Sequence, residues 1–305
     1  MFVEEYLQDL RRERFAPRAL HRYGRRVIGR VREHIYANPG AVRSIWSVAL
    51  GFFAAAFLIA VAIALVYDRH LAYDFFVLTS ASILPVFGLV TFGIDLLRDR
   101  DGFALSAINV PTTLTVLRVV IAPGLALFLL DRDLLLALAA YLIAALSDVA
   151  DGWLARRWRQ ETQLGSVLDP LVDIVFNLAV FFALAAADLL PRWVFVVAAI
   201  RYGLLLVGGT YLRLFVGPFR IRPTFFGRAA GVLASSLVAL LILLHSTGGP
   251  MAERLMRLTE SAIGVLLAAT VIHVVVMGWY NLRLLTGEAA KARGRVVEDV
   301  RWRVR

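Results

Sequence analysis

The chain has 305 residues, 60% of them hydrophobic, with a mean hydropathy of +0.73. Soluble domains are nearer half apolar, so the composition sets aside an ordinary soluble domain and leads to an all-α integral membrane protein. Cysteine is absent, which excludes disulfides and thiolate metal sites. The net charge of +10 is carried almost wholly by arginine, Lys291 being the sole lysine; in so apolar a chain this excess suits anionic lipid headgroups better than nucleic acid, which is not expected as a partner.

Residues 1–44 hold ten arginines and two amphipathic stretches. Phe2, Val3, Tyr6, Leu7 and Leu10 recur at helical spacing, and after Pro17 so do Leu20, Tyr23, Val27, Val31 and Ile35. This pattern predicts a basic interfacial arm lying on an anionic leaflet. Asn38-Pro39-Gly40 then breaks the periodicity. Eight apolar runs follow, near 43–66, 72–97, 113–130, 134–155, 166–189, 193–215, 226–246 and 258–284, each about the ~20 residues that span a bilayer as a helix. Arginine bias orients them. One set of loops carries Arg98 and Arg100, then Arg156, Arg157 and Arg159, then Arg220, Arg222 and Arg228, and finally the basic tail. Both termini are therefore expected in the cytoplasm, in what reads as a bacterial inner membrane.

The fourth and fifth runs are interrupted by Asp148, Asp151, Asp169 and Asp173. Acids within membrane segments are costly and mark function by default. Asp148 and Asp151 are three apart, and Asp169 and Asp173 four apart, so each pair shares a helix face. The basic turn Arg156, Arg157 and Arg159 lies between them. Antiparallel helices joined there can gather all four acids near the cytoplasmic side. Without cysteine, four carboxylates suit hard cations, Mg²⁺, Mn²⁺ or Ca²⁺, better than zinc, and a two-metal site of Mg²⁺ or Mn²⁺ is expected. Magnesium commonly shares its ligands with phosphate oxygens, which implies a phosphate-bearing substrate. Gly152, one turn after Asp148, lets a ligand approach closely, and Gly165 does the same or permits tight helix packing. A polar seam or a carboxylate-lined cation or proton pathway is the competing reading.

Asp148-x-x-Asp151-Gly152-x-x-Ala155-Arg156, eight residues, then Gly165-x-x-x-Asp169-x-x-x-Asp173 matches every fixed position of the signature of the CDP-alcohol phosphotransferase family. The stretch Asn109-Val110-Pro111-Thr112-Thr113-Leu114-Thr115-Val116-Leu117-Arg118 resembles the start of that family's first transmembrane helix, with Thr112 where Asn is usual. The resemblance covers about 100–285, six of the eight spans. With the apolar runs it divides the chain into an arm (1–44), two extra spans outside the resemblance (45–100), a six-helix catalytic bundle (101–285) and a basic tail (286–305). It further implies attack by an alcohol hydroxyl on the β-phosphate of a CDP-linked lipid, release of CMP, a dimetal site and a homodimer. By position, Asp148, Asp151, Asp169 and Asp173 would hold the metals, with Asp173 also the general base. Asn109, Thr115, Gly152, Ala155, Arg156 and Gly165 would line the CDP pocket.

The motif looks most like the branch that makes phosphatidylglycerol phosphate and, among close relatives, cardiolipin. Ile174 stands where that branch usually has Lys. The linker Pro223-Thr224-Phe225-Phe226-Gly227-Arg228-Ala229-Ala230-Gly231 has Arg for Lys and Gly for Thr. Arg201, Arg213, Arg220, Arg222 and Arg228 are candidates for receiving an anionic acceptor, since guanidinium forks bind phosphate bidentately. Arg201 interrupts an apolar span and needs a partner, which is either the acceptor or one of the acids. The expected acceptor is glycerol 3-phosphate, with phosphatidylglycerol second.

Overall fold

A computed structural model describes residues 16–211 and 225–303, with side chains through Tyr280 and at Arg283. Among them are nine α-helices: α1 (Pro17–Ala37), α2 (Pro39–Val66), α3 (Arg69–Phe92), α4 (Val110–Leu130), α5 (Leu134–Trp158), α6 (Gln163–Ala186), α7 (Arg192–Tyr211), α8 (Phe225–Thr247) and α9 (Pro250–Arg303). A single 3-10 turn, Ile94–Leu96, follows α3, and the only strand-like pairing among the described residues is the bridge between Arg98 and Ala104. Eight helices, α2 to α9, are long and apolar enough to cross a membrane. The chain is an all-α polytopic membrane protein.

Local chemistry sets the helix ends. Pro17 and Pro39 occupy first-turn positions, where the missing N–H has no intrahelical acceptor to lose. Asp68 caps α3 by accepting from the His70 and Leu71 amides at 2.6 and 3.0 Å. The second apolar run was expected over 72–97. The helix instead starts earlier, at this cap, carries Pro85 inside it and stops at Gly93. Leu164 of α6 lies 2.9 Å from where a Gly93 Cβ would stand, so that stop is also a close approach to the neighbouring helix.

The most buried span is α4, with 50% of its apolar window inside the protein. It packs against α3, α5 and α6, while α7, α8 and α9 join through contacts to α6, α5 and one another. One core runs from Phe75 through Leu125 and Phe128 to Phe181, Leu241 and Ile263. A second joins Ile45 of α2 and Phe87 of α3 to Val116 of α4 and Leu164 and Leu168 of α6. The two spans that precede the motif-bearing helices therefore share a core with them. Outward apolar side chains such as Leu65, Val207 and Val265 are exposed, which in a membrane protein is the lipid-facing surface.

Candidate active site

The acids lie near the C-terminal end of α5 and the N-terminal end of α6, so the α5–α6 turn gathers them at one end of the bundle. That turn is tightly specified. Arg159 ends α5 in the left-handed region at φ 55°, and the Gln160 amide donates to the Ala155 carbonyl at 3.0 Å. Thr162 caps α6, its Oγ1 accepting from the Gly165 amide at 3.0 Å. Asn109 caps α4 by accepting from the Thr112 amide at 3.1 Å, and its Nδ2 donates to the Gln160 carbonyl at 2.5 Å. One side chain thus fixes the start of α4 against the turn between the acid-bearing helices.

Two side chains of α4 tie the acids together. Thr115 Oγ1 lies 3.1 Å from Asp151 Oδ2 and 3.0 Å from Asp169 Oδ1, and 3.1 Å from the Pro111 carbonyl. Arg118, only 3% exposed, pairs with Asp148 at 2.5 Å, with Asp151 at 2.8 Å and with Asp173. Asp151 is buried, whereas the Asp148 and Asp173 side chains are 53% and 47% exposed. In the sequence Arg118 stood only as the last residue of the stretch that begins at Asn109, with no role of its own. The signal was available, because a guanidinium inside an apolar helix requires an anionic partner.

Beside the cluster is a cavity of about 360 Å³ whose wall includes Thr112, Thr115, Asp151, Gly152, Ala155, Arg156, Gly165 and Asp169. Arg156 folds back over Gly152, its Nη1 3.3 Å from where a Gly152 Cβ would be; any side chain there would displace the guanidinium. Asn109, Asp148 and Asp173 are not in this wall. Arg100, Gln160 and Glu161, which the sequence analysis did not select as site residues, are.

Of the residues expected to receive an acceptor, Arg201 and Arg228 are among the described residues. Arg201 is held by its neighbour, Nη1 donating to the Tyr202 hydroxyl at 2.8 Å with the guanidinium 4.7 Å from the Tyr202 ring centre. It makes no ion pair with the four acids among the described residues. Arg228 is exposed in the first turn of α8. Arg213, Arg220 and Arg222 lie outside the described residues, as does the amphipathic stretch from Phe2 to Leu10.

Four carboxylates and a threonine hydroxyl form an all-oxygen donor set, the chemistry of a hard divalent cation. In the conformation described, Arg118 takes one oxygen from each of three acids, and no group of three or more acid or histidine side chains among the described residues is arranged around a metal position. The donor set fits a metal ion by its chemistry. Its neutralising charge here comes from Arg118.

The family model described as CDP-alcohol phosphatidyltransferase matches residues 108–280, more than half the chain. The chain belongs to this family. It is 33% identical over 147 residues to rat (Rattus norvegicus) cardiolipin synthase (CMP-forming), covering 43% of this chain and 49% of the relative. It is 32% identical over 132 residues to the CDP-diacylglycerol–glycerol-3-phosphate 3-phosphatidyltransferase of Aquifex aeolicus, covering 42% of this chain and 71% of that one. Against the cardiolipin synthase (CMP-forming) of Streptomyces coelicolor the identity is 35% over 112 residues, 37% of this chain and 52% of the relative. The match thus spans about half the length of the cardiolipin synthases.

Proposed function

We propose that the protein transfers a phosphatidyl group from CDP-diacylglycerol to a glycerol-type alcohol and releases CMP. The observation that carries this reading is the joining of Asp148, Asp151, Asp169 and Asp173 through Arg118 and Thr115 beside a cavity walled by Gly152, Ala155, Arg156 and Gly165. In the step, the alcohol oxygen bonds to the β-phosphorus. The bond from that phosphorus to the CMP oxygen breaks, CMP leaves with the bonding pair, and the alcohol proton passes to a carboxylate. Arg156 over Gly152 suits the diphosphate, since a guanidinium fork meets two phosphate oxygens at once. Asp173 is the base in this reading. It stands outside the cavity wall and is half exposed, so an alcohol can reach it without crossing the nucleotide.

Mg²⁺ or Mn²⁺ ions, held by Asp148, Asp151, Asp169 and Asp173, would neutralise the diphosphate and acidify the alcohol. Arg118 then keeps the acids close while they lack such ions, and Thr115 orients Asp151 and Asp169. The reading also takes the acid cluster and both termini as cytoplasmic, supported by the arginine bias of the loops. It places α1, whose outward side chains include Arg18, Arg25 and Arg32, on anionic lipid, and the enzyme as a homodimer, as the family resemblance implies.

Glycerol 3-phosphate is the acceptor of first choice, supported by the Aquifex aeolicus relative. Phosphatidylglycerol is second, favoured by the relatives named cardiolipin synthase. Purified protein given CDP-diacylglycerol, Mn²⁺ and a panel of alcohols should release CMP and form one lipid product identifiable by mass. No CMP with any alcohol overturns the enzyme reading and leaves a cation pathway as the alternative. Asp173→Asn should lower turnover by about 10² to 10⁴ while CDP binding persists. Near-normal turnover would remove Asp173 from the base role.

A further inference from the structure

We infer that Arg100, outside the region matched to the family model, is a donor-binding residue: its guanidinium engages the phosphates of the cytidine nucleotide in the cavity beside the acid cluster. The inference rests on the functional reading above and adds a contact supplied by the segment that joins the two preceding spans to α4.

Arg100 stands at the tip of a tight hairpin. The Leu105 amide donates to Leu97 O at 2.9 Å and the Asp99 amide to Phe103 O at 3.0 Å. The turn between them is closed by the Gly102 amide on Asp99 O at 3.2 Å, with Gly102 at φ +90°, and by the Phe103 amide on Asp99 Oδ1 at 2.8 Å. That φ favours glycine. Arg98 fastens the base, with Nε donating to Asp95 O at 2.9 Å and Nη1 to Gly102 O at 3.0 Å. The hairpin is then docked on the acid-bearing helices, because the Gln163 amide at the start of α6 donates to Arg98 O at 3.1 Å. A loop with this many internal bonds presents its tip in one place, and that place is the cavity wall.

At the tip, Arg100 pairs with Glu161, which also lines the cavity. Their side chains are 70% and 33% exposed. An ion pair this open to water contributes little, so the guanidinium can exchange a carboxylate for phosphate at small cost. Phosphate oxygens accept the same planar fork. Arg156 approaches the cavity from α5 and Arg100 from the hairpin, which gives two guanidiniums to a ligand whose negative charges are on adjacent phosphates. Glu161 then holds Arg100 at the cavity mouth when no nucleotide is present.

The test is binding of CDP and of cytidine to the full-length protein in detergent with Mn²⁺, by calorimetry. Arg100→Ala should weaken CDP about tenfold, the loss expected for a charged hydrogen-bonding partner, and leave cytidine unaffected. Arg100→Lys should recover part of that loss, and Glu161→Gln should tighten CDP by freeing Arg100. If Arg100→Ala binds CDP as the wild type does while Arg156→Ala does not, the inference fails and the functional reading stands. Equal weakening by Arg100→Ala and Glu161→Gln would make the pair a mere brace and also overturn the inference. If the wild type binds no CDP, the reading of the cavity itself fails.

Discussion

Arg118→Met tests the arrangement at the centre of the site. The substitution removes a charge from a buried side chain and leaves three acids facing a thioether stem. Breaking a fully buried ion pair from one side costs about 3–5 kcal/mol. Only Asp151 is buried enough to incur that; Asp148 and Asp173 are 53% and 47% exposed and turn to water instead. The expected loss is therefore at the low end, about 3 kcal/mol, or on the order of 5 °C in Tm for a chain of this length. Thermal unfolding of the purified protein in detergent with EDTA measures it. Adding Mn²⁺ should then raise the variant more than the wild type, because the acids lack their internal cation. An ion at a hundred times its Kd stabilises by about 2.7 kcal/mol, enough to restore most of the loss. A variant that unfolds within about 2 °C of wild type in EDTA would refute the view that Arg118 holds the cluster. So would an equal gain from Mn²⁺ in both proteins.

Other expectations follow from single contacts. Thr115 has one hydroxyl proton for three acceptors near 3 Å, Pro111 O, Asp151 and Asp169; Thr115→Val should lower stability by about 1–2 kcal/mol and slow CMP release, while Thr115→Ser retains both. A Cβ on Gly264 would stand 2.1 Å from the Trp193 ring, so Gly264→Ala should destabilise the α7–α9 packing by about 1–3 kcal/mol. Thermal unfolding of the double variant with Trp193→Ala should show most of that penalty gone, and an undiminished penalty would place its origin elsewhere. Asp68 accepts from the Leu71 and His70 amides, and the Leu71 bond first, with the nearby His70 adding to it, holds its carboxyl below the usual range. Its stabilisation is therefore present above the unfolded pKa of about 3.9 and lost as pH falls through the lower folded value. The Tm gap between wild type and Asp68→Asn should be full at neutral pH and close below about pH 4; a gap that does not change with pH would count against a charge effect.

The spans were legible because a bilayer requires long apolar helices, and the acid pairs because three- and four-residue spacing fixes a helix face. Element ends were less so. Asp68 starts α3 before the hydropathy rises, and Gly93 stops it where Leu164 approaches, a contact between helices distant in sequence. Arg118 shows a different gap. The rule that demands a partner for an intramembrane charge was applied to Arg201, but that side chain is held by the adjacent Tyr202 and makes no ion pair with the four acids among the described residues. The same rule at Arg118 leads to the centre of the site. Arg100 read only as one more cytoplasmic arginine, since nothing in a linear pattern says that a hairpin will fold it against α6.

The position of α4 accounts for how acids on two helices act as one unit. Thr115 and Arg118 are three residues apart and share a face, so α4 meets α5 and α6 in two layers. In the Thr115 layer a hydroxyl joins Asp151 of α5 to Asp169 of α6; in the Arg118 layer a guanidinium joins Asp148 and Asp151 of α5 to Asp173 of α6. Asp151 belongs to both and is the most buried of the three acids paired with Arg118. The cavity wall contains the first layer's acids, Asp151 and Asp169, and neither Asp148 nor Asp173. A nucleotide in the cavity therefore meets one layer, while the half-exposed acids of the other are reached from elsewhere. Two substrates can then approach one charge cluster without competing for the same opening, as the proposed transfer requires. Asp151, common to both layers, is where a change made for one substrate would be felt by the other.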